Sequence, residues 1–267
     1  MRALVVGGTG TVGRHVVGVL LRRGHDVRVL SRQPADGDPQ VHRVVGDLST
    51  GDGLAAALES VDVVVDCSDV ATSSGRTARA FFTTTTALLR EAERAAGVSH
   101  HVLLSFVGID NIPTPYYLAK LAQERATAAG LPPSTILRAT HFMESRPQVA
   151  TRTTFGPLVL VPDWPVQPVA AADVAEALAD IAEAPPAGRA PDIGGPDTIQ
   201  LPDLVRANLA ARGTPDRVVR ILFPGRAGRI MRGGGLLVRE GRRGTTTLAQ
   251  CLAGLTIDTS GGLAPGV

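Results

Sequence analysis

The sequence predicts an α/β fold, a doubly wound parallel sheet with a small C-terminal region on the substrate side. Three observations carry this. Short β-branched runs alternate with helical patterns through the first half, a glycine-rich turn follows the first of those runs, and the alternation loosens near residue 140. Near-continuous apolar strands imply burial on both faces, which a parallel sheet covered by helices provides.

Strands are expected at 3–7 (ALVVG), 26–30, 41–46, 61–66, 101–105 and 134–138. Between them, 12–24, 53–60, 78–97 and 116–130 carry apolar residues at helical spacing, and several end in glycine, which accepts the left-handed conformation that stops a helix. This strand–helix alternation is the Rossmann pattern. The last of these helices has a legible start, because Thr114 can cap it and Pro115 fits the first helical position, where its missing N–H costs nothing. Four threonines in a row, 83–86, lie inside the third helix, where β-branching lowers propensity, so packing is expected to hold them there.

Beyond residue 140, 166–184 gives a strand-like start, Asp173 as N-cap and a helix, and 185–197 is a Pro/Gly loop. Residues 201–213 form a further helix. Residues 223–247 hold six arginines (226, 229, 232, 239, 242, 243) against one acid, Glu240, and read as a mobile, solvated loop.

With 44% hydrophobic residues in 267, the chain can bury a sizeable core. A formal charge of +2 is too balanced to argue for nucleic acid or an anionic membrane, and neither partner is expected. No apolar run approaches the roughly 18 residues of a membrane span, and the N-terminus lacks the features of a signal peptide. Cys67 and Cys251 stand far apart, as in a reducing cytoplasm. His100 and His101 lack ligand-spaced acids or cysteines, so no metal site is expected.

The turn VVGGTGTVGRHV (5–16) satisfies two glycine spacings, Gly8/Gly10/Gly13 and Gly7/Gly10/Gly13. Between a strand and a helix, such glycines let the backbone approach a pyrophosphate whose charge the helix N-terminus stabilises. Gly7, Thr9, Gly10, Thr11, Val12 and Gly13 are therefore expected to bind a dinucleotide. An acid at the end of the second strand would bond the ribose of NAD, whereas Arg accommodates the 2′-phosphate of NADP. Here Ser31 and Arg32 occupy that place with no carboxylate before Asp36, which favours NADP while leaving NAD open; Arg14 is a second candidate for the phosphate. Residues 1–150 are expected to form this NAD(P)-binding domain, rejoined by about 166–190, with 151–267 mainly on the substrate side.

Lys120 is the chain's one lysine among 27 basic residues, and it lies four residues after Tyr116 on one helix face. An ammonium near a phenol favours the phenolate and would draw its pKa down from about 10. Such a tyrosine exchanges a proton with a carbonyl or alcohol oxygen while hydride moves on the nicotinamide. Tyr117, three residues from Lys120, is the alternative proton donor. Ser105, at the end of the fifth strand, can hydrogen-bond the same oxygen. His141 follows the sixth strand, where loops line a Rossmann crevice, with either a structural or an acid/base role.

The ordered set GGTGTVGR, GDL (46–48), LLSFVGID, YYLAKLAQE, ILRATHF and VAAADVAEAL resembles the short-chain dehydrogenase/reductase superfamily, in particular its atypical extended, NmrA-like branch, over about residues 1–200. The resemblance implies a catalytic Tyr116–Lys120 pair with Ser105 as its serine. It also implies Asp47 and Leu48 near the adenine, Cys67 and Ser68 along the cofactor, Lys120 on its ribose, and Thr140 to Phe142, with His141, toward nicotinamide and substrate. The expected function is NADP-preferring reduction of a small-molecule carbonyl, quinone or conjugated alkene in the cytoplasm. A non-catalytic NAD(P) sensor and an NAD-dependent epimerase or dehydratase stand as alternatives.

Overall fold

The computed structural model describes all residues except 34–37, 73, 145–153, 156–157, 214–216 and 258–267. Asp36 therefore lies outside the described residues. In chain order the elements are β1 Arg2–Val6, α1 Gly13–Arg22, β2 Asp26–Ser31, β3 Val41–Val45, α2 Leu54–Ala57, β4 Val63–Asp66, α3 Gly75–Ala96, β5 His100–Phe106, α4 Pro115–Ala128 and β6 Ser134–Ala139. There follow β7 Thr154–Phe155, β8 Leu158–Pro162, β9 Pro165–Val166, α5 Ala171–Glu183, β10 Gly188–Arg189, β11 Ile193–Gly194, β12 Ile199–Gln200, α6 Leu201–Ala211, β13 Arg217–Ile221, α7 Gly225–Arg232, β14 Arg242–Arg243 and α8 Leu248–Ile257. The chain divides into two units, Met1–Ala139 with Ala171–Asp192, and Thr140–Ala170 with Ile193–Val267.

In the first unit the strands run β3-β2-β1-β4-β5-β6, all parallel, and β10 pairs in parallel with β6. Helices α1 and α5 pack together on one face, and α2, α3 and α4 form the other layer. The strands read apolar throughout because both faces are covered; Leu4, Val5, Val64, Val65, Val102 and Leu103 are fully buried. Because β1 pairs with both β2 and β4, the chain leaves it in opposite directions, and the carboxyl ends of β1 and β4 flank a topological switch point where open α/β sheets bind ligands. Thr114 caps α4 by accepting from the Tyr117 N–H, with Pro115 in the first turn.

The second unit holds a three-stranded sheet in which β8 pairs antiparallel to β7 and parallel to β13, backed by α6. Strand pairs β9/β12 and β11/β14 complete it. Buried Gln167 ties it together: its Nε2 donates to the Gly195 carbonyl at 2.9 Å and its Oε1 accepts from the Val238 N–H at 3.0 Å.

Two expectations are corrected. Residues 223–247 are not a structureless loop: they form α7 and β14, because Met231, Leu236 and Val238 bury apolar side chains between the arginines. Asp173 is not the N-cap of α5 but sits in its first turn, two residues inside Ala171, where its charge still favours the helix N-terminus. Thr85 returns its hydroxyl to the Phe81 carbonyl at 2.8 Å, and Thr85 and Thr86 are buried, so packing does account for the threonines at those two positions. No helix among the described residues is long and apolar enough to cross a membrane.

Candidate functional site

The turn after β1 is closed by backbone. Gly7 has φ +73°, and a Cβ there would stand 2.8 Å from the Cys67 carbonyl oxygen; one on Gly13 would stand 2.1 Å from the Gly7 oxygen. Only glycine satisfies both. Val12 supplies no side-chain cap to α1; the Arg14 and His15 N–H groups turn back to the Gly10 and Val12 carbonyls at 3.1 and 2.9 Å, and the positive end of the helix dipole follows directly on the glycine turn.

The same geometry brings the end of β4 against the turn. Asp66 is buried and accepts from the Ser68 N–H at 2.8 Å, while Gln123 reaches its other oxygen at 3.4 Å. Ser68 Oγ is buried without a hydrogen-bond partner among the described residues, next to Gly7. Burial pushes the Cys67 thiol well above its ordinary range, with the Asp66 charge adding to it. Cys67 is therefore held as a neutral thiol, and its contribution to the turn is its backbone.

One residue further on, Asp69 accepts a hydrogen bond from the Tyr116 hydroxyl. Tyr116 and Tyr117 belong to a cluster with Phe81, Phe82 and Phe106, so five of the chain's nine aromatic residues meet here. Lys120 is 1% exposed, with its Nζ 4.7 Å from the centre of the Phe82 ring and 5.7 Å from that of Phe106. Burial lowers its pKa, opposed by the charges of Asp69, Asp66 and Glu124.

The expected lysine-driven lowering of the phenol is reversed. Burial first, then the Asp69 carboxylate, raises Tyr116 well above the usual phenol range, and burial alone pushes Tyr117 up to about 12. Ser105, the serine expected beside Tyr116 and Lys120, lies next to the last residue of β5. It is fully buried, and its Oγ has no partner among the described residues. The reason is strand periodicity: Ser105 shares a face with His101, which bonds Glu93 of α3 at 2.6 Å, and pairs in register with Arg138, which bonds Glu124 of α4. That face is roofed by helices.

Arg32 is exposed just past β2, and Ser31 turns its hydroxyl to the Gln33 carbonyl at 2.7 Å. Asp47 is held below the usual carboxylate range by hydrogen bonds from Ser49, its hydroxyl and N–H, with the Arg32 charge assisting. Leu48 is partly buried against the core cluster to which Leu4, Val6 and Leu30 belong. Thr9, Gly10 and Thr11 are exposed on the turn, and Arg14 lines a hollow of about 210 Å³ with Asp173 and Glu176, on the α5 side of α1.

In the second unit, the His141 carbonyl accepts from the Val169 N–H at 2.8 Å, and burial pushes its imidazole down to about 4. Phe142 bridges to Val169, and the Thr140 hydroxyl donates to the Gln167 carbonyl. Among the described residues no group of His, Cys, Asp and Glu is placed to hold a metal ion.

A family model described as NAD(P)H-binding matches residues 7–185. The chain belongs to that NAD(P)H-binding family. Among curated relatives, the NAD(P)H-binding chain is 33% identical over 145 residues to the human sterol-4-alpha-carboxylate 3-dehydrogenase, decarboxylating (47% of this chain, 39% of that protein). It is 31% identical over 149 residues to photosystem II assembly factor Ycf39 of Synechocystis (54% and 46%). It is 42% identical over 65 residues to a 3-beta-hydroxysteroid dehydrogenase of Mycolicibacterium neoaurum (24% and 18%). The chain thus spans less than half the length of each. Solved structures share its fold: MoeE5 with UDP-glucuronic acid and NAD (TM-score 0.71, 21% identity, 95% of this chain and 97% of that one) and the UDP-glucose 4-epimerase of Thermotoga maritima (0.72, 17%, 97% and 99%).

Asp69 was not singled out by sequence reading, which stopped at Ser68. The available signal was its place at the carboxyl end of β4, beside the switch point.

Proposed function

We propose that this NAD(P)H-binding protein is an NADP-preferring oxidoreductase of the NmrA-like type, acting in the cytoplasm on a small-molecule carbonyl, quinone or conjugated alkene, without nucleic-acid or membrane partners. One continuity supports it. Gly7 of the dinucleotide turn abuts Cys67 and Ser68, and the next residue, Asp69, holds the Tyr116 hydroxyl. Cofactor turn and candidate acid are thus joined by three consecutive residues. The glycine cradle, the N-terminal end of the α1 dipole and the orphan Ser68 hydroxyl fit a bound dinucleotide, and Arg32 fits a 2′-phosphate.

When bound, the nicotinamide supplies hydride. Tyr116 supplies the proton to the substrate oxygen, losing its O–H as the new one forms, and the buried Lys120 ammonium offsets the phenolate left behind. The curated sterol and hydroxysteroid relatives accord with a dehydrogenase or reductase.

The test follows NADPH oxidation at 340 nm against carbonyls, quinones and enones. Tyr116→Phe is expected to lose roughly 10²–10⁴ in kcat with NADPH binding retained. Turnover unchanged in that variant sinks the reading. Ser105, fully buried and with its Oγ unpartnered among the described residues, favours a second one, a non-catalytic NAD(P) sensor. Tight NADPH binding without turnover across the panel would decide for it.

A further inference from the structure

We infer that Asp69 is a positioning residue for Tyr116, its carboxylate receiving the phenolic hydrogen and holding the tyrosine in its protonated form until a substrate oxygen takes over that hydrogen bond. This deepens the oxidoreductase reading and rests on it for its catalytic consequence.

The geometry is specific. Asp69 is exposed, on the segment that follows β4, yet its Oδ1 accepts from Tyr116 Oη, whose ring is wedged edge-on against Phe82 at 5.8 Å and beside Phe106 at 6.2 Å. The ring cannot swing freely, so the hydroxyl is aimed by packing and received by the carboxylate. An ionised carboxylate only accepts hydrogen bonds, so this contact requires the phenol to carry its hydrogen. A phenolate would instead face Asp69 as a like charge.

The charged and titratable groups around Tyr116 are few. The segment after β4 brings Asp69, with Cys67 and buried Asp66 behind it; α4 brings Tyr117, Lys120 and Glu124; α3 and β5 present Phe81, Phe82 and Phe106. Lys120 favours the phenolate, but its ammonium lies over Phe82 and is shared among the charges of Asp66, Asp69 and Glu124. Asp69 is the one of these groups that touches the hydroxyl.

The experiment uses the chain's own economy of chromophores, for Tyr116 and Tyr117 are its only tyrosines. In a Tyr117→Phe background, phenolate absorbance near 295 nm reports Tyr116 alone, while circular dichroism tracks folding. With Asp69 present, no phenolate signal is expected before alkaline unfolding. Asp69→Asn is expected to bring the titration down into the folded range, a shift of at least one pH unit, and Asp69→Glu to restore the parent behaviour. Should Tyr117→Phe not fold, the same comparison is made in the two-tyrosine chain, where Asp69→Asn must add one phenolate equivalent below the unfolding pH. A Tyr116 that titrates near pH 10 with Asp69 in place, or titrations indifferent to Asp69→Asn, overturns the inference. The titration needs no substrate, so its failure is distinct from failure of the oxidoreductase reading, which Tyr116→Phe turnover decides.

Discussion

Arg138 and Glu124 meet as a two-pronged ion pair inside the protein, Nε to Oε1 at 2.7 Å and Nη2 to Oε2 at 2.5 Å, with side chains only 5% and 6% exposed. The pair joins the end of β6 to α4 one turn beyond Lys120. Asp110, after β5, accepts from the same guanidinium, Nη2 to Oδ1 at 2.9 Å, and is held below the usual carboxylate range chiefly by that hydrogen bond. The helix that carries the tyrosines is thereby pinned at its middle by charge as well as by packing.

Breaking this pair from one side should cost far more than deleting it. Arg138→Met strands a buried carboxylate and is expected to destabilise by about 3–5 kcal/mol, measured by urea unfolding. Combining it with Glu124→Leu should recover a substantial part of that loss, because the desolvation of both charges disappears together. A single variant costing under about 1 kcal/mol would show that the pair is solvated in practice.

His141 gives the protein an acid-sensitive element. Its folded pKa is about 4 against an ordinary 6.5, so the unfolded chain takes up a proton that the folded one refuses. Its contribution is whole above pH 6.5 and falls as pH drops toward 4, by up to roughly 2–3 kcal/mol. His141→Gln should flatten the dependence of unfolding free energy on pH between 6.5 and 4. Identical slopes for parent and variant would place the acid sensitivity elsewhere, with His100, whose pKa burial also lowers, as the first alternative.

Gly13 tests the dinucleotide turn with a single methyl group. A Cβ at 2.1 Å from the Gly7 oxygen forces the backbone apart, so Gly13→Ala is expected to weaken NADPH binding by more than about tenfold, read from quenching of intrinsic fluorescence or enhancement of the nicotinamide signal. Folding should suffer less, by about 1–3 kcal/mol, since strain is confined to the turn. Unaltered NADPH affinity would mean that the cofactor sits elsewhere.

How much of this was legible beforehand depends on the range of the signal. β1 to β6 and α1, α3 and α4 follow from period and punctuation, because their apolar spacing and end residues are local properties of the chain. The glycine turn was equally local. What the sequence hid are pairings across distance: Asp69 with Tyr116 is separated by 47 residues and Arg138 with Glu124 by 14, and neither leaves a spacing to read. The burial of Ser105 was recoverable, since His101 and Ser105 stand four apart on one strand and must share a face. In 223–247 the arginines masked the apolar residues between them, and a basic, glycine-rich composition outweighed Met231, Leu236 and Val238 in the reading.

Cofactor choice separates the two candidate phosphate-binding arginines. Arg32 stands exposed at the end of β2 and acts on Asp47, whereas Arg14 lies toward α5 with Asp173 and Glu176. A hydrogen bond to a charged group is worth about 1.5–3 kcal/mol, which corresponds to a loss of roughly 10–150-fold when it is removed. Arg32→Ala should therefore raise the NADPH dissociation constant by that order while leaving NADH within about twofold, because only NADPH carries the 2′-phosphate. Arg14→Ala should leave the ratio between the two cofactors unchanged. Equal weakening of NADPH and NADH by Arg32→Ala would reduce that arginine to a general electrostatic role, and a selective loss of NADPH in Arg14→Ala would move the phosphate to the helix.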